Sequence, residues 1–119
     1  MSTPKPGAGP SNLEYHVLLA MAGGPLYGYA IKSAVETESV GALRPGAGSL
    51  YRVLARLMSG GLVDEAEPPT SAEPHPGLAR KYYRLTAEGR RVLAFEARRL
   101  RSVAALAAER LGAIEDDRA

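Results

Sequence analysis

A chain of 119 residues fits one compact domain with a small core, a size at which pairing with a second copy often adds stability. It holds no cysteine, which excludes disulfides, thiolate metal sites and cysteine nucleophiles. No run approaches the roughly 20 apolar residues that span a bilayer. With no apolar leader at the N-terminus either, a cytoplasmic protein is expected. The formal net charge is only +2 but is unevenly spread. From Arg44 to Gly61 there are three arginines and no acids, from Asp64 to Glu73 four acids and no bases, and from Arg80 to Arg101 eight bases against Glu88 and Glu96. Basic blocks on a balanced chain point to a polyanion footprint, although a solvated arginine-rich surface accounts for the same counts.

Residues 1–11, rich in proline and glycine, read as a disordered tail. A first helix is predicted from about Asn12, its expected N-cap, to Ala22, with Leu13, Val17, Ala20 and Met21 on one face. Gly23, Gly24 and Pro25 end it. A second helix is predicted from Leu26 or Tyr27 to about Glu38, with Ala30, Ile31, Ala34 and Val35 as its buried stripe. Gly28 near its start lowers helix stability, so a close approach by another backbone is expected there. A third helix, Ser49 to Met58 with Ser49 as N-cap, places Leu50, Val53, Leu54 and Leu57 at i, i+3, i+4 and i+7. Its opposite face carries Tyr51, Arg52, Ala55 and Arg56, with the two arginines one turn apart.

A strand opens at Leu62-Val63 and returns as Arg80 to Leu85. Alternation puts Lys81, Tyr83 and Leu85 on one face and Arg80, Tyr82 and Arg84 on the other, with Tyr83 and Leu85 packing inward. The long proline-rich connection between the strands is expected to be mobile. A final helix is predicted from Ala87 to about Ala113, capped by Thr86 and followed by a short disordered tail over 115–119. Leu93, Ala97, Leu100, Ala104, Ala107, Leu111 and Ile114 recur at spacings of four and three, a coiled-coil-like seam. At 1.5 Å per residue this helix runs roughly 40 Å, further than so small a domain can cover, and a partner copy is expected along it.

Three helices followed by a hairpin give a mainly α fold with a small β-hairpin. That is the order of a winged helix-turn-helix domain over 12–85, followed by a C-terminal dimerisation helix over 86–114. The third helix suits a major groove, because its inner stripe is apolar while Arg52 and Arg56 project outward, and arginine pairs bidentately with guanine. Ser49 and Tyr51 can donate to phosphate oxygens.

Three segments carry a resemblance: Gly24-Pro25-Leu26-Tyr27-Gly28-Tyr29-Ala30-Ile31, Gly48-Ser49-Leu50-Tyr51-Arg52-Val53-Leu54-Ala55-Arg56-Leu57, and Lys81-Tyr82-Tyr83-Arg84-Leu85-Thr86-Ala87-Glu88-Gly89. Together, in this order, they resemble the PadR family of transcriptional regulators over about residues 12–113. The resemblance implies a homodimer on double-stranded DNA and repression, often relieved by a small aromatic or apolar effector. It also implies the family's shorter branch with a single C-terminal helix. Position by position, Ser49 and Tyr51 match the hydroxyl and tyrosine at the start of the reading helix, Tyr29 the tyrosine beside the DNA backbone, and Arg80 and Lys81 the basic stem of the wing. The acidic segment from Asp64 departs from the family's basic wing tip, so wing contacts are expected from its base.

Other chemistry finds little support. Gly46-Ala47-Gly48 lacks the strand and third glycine of a phosphate-binding loop. His16 and His75 have no ligand-spaced neighbours, so no metal site or cofactor is expected. Ser49 has no histidine partner, and an enzyme is not expected. A winged-helix adaptor that binds protein without specific DNA is the alternative.

Overall fold

The computed structural model describes residues 9–69 and 80–118, with side chains to 112. The segment 70–79, which holds most of the expected mobile connection and His75, lies outside the described residues, as do residues 1–8 of the expected tail. The elements run α1 (Asn12–Ala20), β1 (Leu26–Tyr27), α2 (Gly28–Glu38), α3 (Ala47–Ser59), β2 (Val63–Ala66), β3 (Tyr82–Leu85) and α4 (Ala87–Arg118). The helices are those expected, with three corrections at their starts, and the returning strand begins at Tyr82 rather than at Arg80.

Ser11, not Asn12, caps α1. Its hydroxyl accepts from the Glu14 N–H, and the Glu14 carboxylate accepts from the Ser11 N–H at 2.8 Å. This reciprocal pair is written in the sequence as Ser11-x-x-Glu14, a stronger signal than asparagine alone. Gly46, not Ser49, is the N-cap of α3, which starts at Ala47. The Leu50 N–H reaches the Gly46 carbonyl at 3.0 Å and closes the first turn three residues earlier than predicted. Leu26 and Tyr27 are not helical. They form a strand pairing antiparallel with β3, Leu26 opposite Tyr83 and Tyr27 opposite Tyr82, so the sheet has three strands in the order β1-β3-β2.

That third strand changes one face of the hairpin. Tyr82, expected to face away from the core, is buried like Tyr83, because the Tyr27 ring meets its ring edge-on at 5.7 Å. Tyr83 and Leu85 point inward as predicted and join Val17, Leu18 and Met21 of α1, Ile31 and Val35 of α2, Leu50, Val53, Leu54 and Leu57 of α3, and Val63 in one core. Each fully buried leucine or isoleucine stabilises the fold by about 1.5–3 kcal/mol.

Thr86 caps α4 as expected, its Oγ1 accepting from the Gly89 N–H at 3.0 Å while donating to the Gly61 carbonyl. The helix continues to Arg118, past the predicted end, since no proline follows Gly112 to stop it. The first turns of α4 lie on α1 and β3. Leu93, expected to open the partner seam, therefore belongs to the domain's own core. Beyond Ala97 the described side chains are exposed up to Leu111, and the molecule measures 62 × 34 × 26 Å. No helix among the described residues is long and apolar enough to cross a membrane.

The turn between α2 and α3 contains a local conflict. Val40 follows the C-cap Ser39 with φ 55° and is 92 % exposed. A β-branched residue in the left-handed region is strained, and helices place glycine there. Val40→Gly is expected to stabilise the fold by about 1 kcal/mol, the relief of left-handed strain exceeding the added freedom of the unfolded chain. Chemical denaturation checks this, and a lower midpoint for the variant would contradict it.

Candidate nucleic-acid interface

The candidate face is built from α3 upward. Its apolar stripe is buried against α1, α2 and β2, which forces Tyr51, Arg52, Ala55 and Arg56 to the outside. Ser49 sits in the first turn rather than before it, and its Oγ accepts from Arg52 Nη2 at 3.3 Å. No side chain caps the start of α3. Backbone N–H groups of its first turn thus lack an intrahelical acceptor and form the kind of helix end that binds an anionic oxygen.

The two arginines are not equivalent. Arg52 is held by a residue of its own helix, whereas Arg56 reaches α1, its Nε 3.7 Å from Glu14 Oε2. Arg56 remains 60 % exposed, so the guanidinium is tethered but not sequestered.

Tyr51 does not simply point outward with Arg52. A Cβ added at Gly28 would meet its hydroxyl at 2.6 Å. The close approach expected at Gly28 is real, but it is made by the phenol of α3 rather than by a backbone. This lays Tyr51 across the start of α2, beside Tyr83. Burial first, and then the neighbouring Tyr51, push the Tyr83 phenol above its ordinary range, so it stays neutral. Tyr29, in the first turn of α2, is exposed next to this junction.

Arg80 and Lys81 lie just before β3, at the loop end of the hairpin where Ala66 pairs with Tyr82, and they turn to the two flanking strands. The Arg80 guanidinium lies over the Tyr27 ring, 4.2 Å from its centroid, a stacking that orients a planar cation. Lys81 Nζ lies 3.5 Å from Glu65 Oε1, across the hairpin. The acidic stretch thus begins on β2 itself, where Asp64 stands opposite Arg84. Sequence reasoning treated it as a tip that avoids DNA. The pairing shows carboxylates next to basic groups at the wing base as well.

The seven residues singled out from the sequence therefore fall into three groups. Ser49, Arg52 and Arg56 share the outer face of α3, Tyr51 and Tyr29 flank the start of α2, and Arg80 and Lys81 stand at the foot of β3. Glu14, Glu65 and Tyr27, which touch three of them, were missed. Only the capping pattern around Ser11 pointed to any of the three. Outside this surface, a shallow hollow on the outer side of α2, between Tyr27, Tyr29, Ser33 and Thr37, lies away from α4.

On α4 the expected seam is partly exposed. Leu100 and Leu111 stand free among the described residues, and so do Phe95, Val103 and Leu106, which the seam did not include. Ile114 lies outside the described side chains.

Comparison with known proteins follows the same lines. A 37.1 kDa uncharacterised protein encoded in a transposon of Streptomyces fradiae is 43 % identical over 81 residues, which cover 68 % of this chain and 21 % of that one. The chain thus spans about a fifth of that relative's length. A PadR-like transcriptional regulator from Bacillus cereus superposes with a TM-score of 0.68 at 23 % identity, covering 83 % of this chain and 90 % of that one. A PadR family regulator from Clostridium difficile gives 0.67 at 23 % identity over 85 % and 99 % of the two chains. Bacillus subtilis PadR in complex with operator DNA gives 0.59 at 24 % identity over 73 % and 47 %. At these identities the superpositions show the winged-helix fold with its long last helix. The sequence match over residues 17–95 shows more: the chain belongs to the transcriptional regulator PadR-like family.

Proposed function

We propose that this chain is a sequence-specific DNA-binding regulator in the cytoplasm that grips a near-palindromic operator as a homodimer, represses from it, and leaves it when a small aromatic or apolar effector binds. The observation that carries the reading is the row of half-buried Ser49 and exposed Arg52 and Arg56 over the buried leucines of α3. A helix of this kind fits the major groove, and its guanidinium groups reach base edges. Tyr29, Tyr51, Arg80 and Lys81 hold the phosphate backbone on either side. The Bacillus subtilis relative, whose structure contains operator DNA, supports the same use of the fold. Repression and effector release are supported by the family resemblance.

The apolar residues along α4 beyond Ala97 favour pairing. Leu100, Val103, Leu106 and Leu111 are exposed on a helix that outruns its own domain, and a second copy of α4 would bury them. Leu93 contributes to this only indirectly, by seating α4 on the core. Ala97, Ala104 and Ala107 are small enough to let two such helices approach closely.

Selection of bound duplexes from a random pool tests the reading. The expected product is an inverted repeat with half-sites about 10 base pairs apart, one helical turn, bound by a particle of twice the 12.6 kDa chain mass. A monomeric protein, or a pool with no enriched sequence, would leave the adaptor alternative standing. Repeating the selection with candidate aromatic compounds tests release.

A further inference from the structure

The geometry points to Glu14 as a positioning residue for the base-reading Arg56: a carboxylate pinned by the cap of α1 holds that guanidinium by its inner edge. This rests on the reading of α3 as the DNA-reading helix. Glu14 is fixed by the cap of α1. Its Oε1 accepts from the Ser11 N–H at 2.8 Å, while the Ser11 hydroxyl accepts from the Glu14 N–H at 3.2 Å. One carboxylate oxygen is thereby committed to the cap, and the side chain is only 23 % exposed. The other oxygen, Oε2, faces Arg56 Nε at 3.7 Å. An ordinary surface glutamate samples many rotamers, but here the cap hydrogen bond holds one carboxylate oxygen.

Two consequences follow for Arg56. Engaging Nε leaves the two terminal nitrogens, the pair that fits the O6 and N7 of guanine, on the far side of the guanidinium. The long side chain is also restricted before DNA arrives, so less freedom is lost on making that contact. The fixed negative charge acts in the opposite direction on random phosphates, which meet a half-neutralised arginine. Both effects raise the ratio of specific to non-specific binding. Arg52 has no such tether to another element, since Ser49 holds it within α3.

Glu14→Gln separates this role from the cap. A glutamine oxygen still accepts from the Ser11 N–H, so folding is kept while the charge facing Arg56 is lost. On the full chain, binding is measured to the selected operator, to its single-base variants and to an unrelated duplex. The thermal midpoint is expected to stay within the measurement error. The ratio of specific to non-specific affinity is expected to fall about two- to fivefold, the range that an exposed ion pair supplies. The lost preference should be confined to the base pairs that Arg56→Ala also relaxes, and adding Glu14→Gln to Arg56→Ala should change nothing more. If Arg56→Ala relaxes those positions and Glu14→Gln leaves them and the ratio untouched, the inference fails alone. A uniform loss at every position together with a lower midpoint also overturns it, assigning Glu14 to the cap only. If Arg56→Ala binds and discriminates like the parent, the reading of α3 fails and the inference fails with it.

Discussion

Gly89→Ala is expected to cost about 3–5 kcal/mol of folding stability, a large share of the roughly 5–15 kcal/mol that a domain of this size possesses. The reason lies in how closely α4 is seated on the turn after α3. A Cβ at Gly89 would stand 2.1 Å from the Leu62 carbonyl oxygen and 3.0 Å from its carbon. Both are backbone atoms and cannot swing away like a side-chain tip. The same carbonyl accepts from the Thr86 N–H at 3.0 Å, and the adjacent Gly61 carbonyl accepts from the Thr86 hydroxyl at 2.6 Å. Relieving the clash means lifting α4 off this pair of hydrogen bonds, each worth about 1 kcal/mol net, and drawing Leu93 out of the core. The thermal midpoint should drop by about 15 °C or more. A drop of only a few degrees would show that the helix can slide without losing its seat.

Arg52→Ala with Arg56→Ala should weaken binding to the selected operator by about a hundredfold or more, since one bidentate arginine–guanine contact supplies about 1–3 kcal/mol of discrimination. Binding to unrelated duplex should fall less, and the dependence on salt should flatten. The fold should be unaffected. Both side chains are exposed, and an exposed ion pair such as that between Glu14 and Arg56 adds little stability. Operator affinity unchanged within error would remove these side chains from recognition and turn attention to the adaptor alternative.

The parts of the site that were legible are those that depend on local pattern. The leucine spacing of α3 determines which of its residues are buried, and with them the outward direction of Arg52 and Arg56. The capping roles of Ser49 and Asn12 were misassigned because serine and asparagine are good caps anywhere. The one-turn pairing with Glu14 and the extended backbone at Gly46 decide between candidates. Tyr51 shows the limit differently. Its helical position is right, but the bare Cα of Gly28 draws the ring sideways onto α2. Leu93 fits a heptad and a domain core equally well, since both demand a leucine at that spacing.

From its residues alone the chain determined the helical segments, the inward stripes, the returning strand, the outward arginines and, through three motifs, the family. These follow from periodicity and from residue types that act within a turn or two. Tertiary structure decided the third strand at Leu26–Tyr27, the burial of Tyr82, the seat of Gly89 on Leu62 and the tie from Glu14 to Arg56. Each of these joins segments far apart in the chain. A hydrogen bond or ion pair at that separation depends on how helices and strands are stacked, which no local spacing encodes.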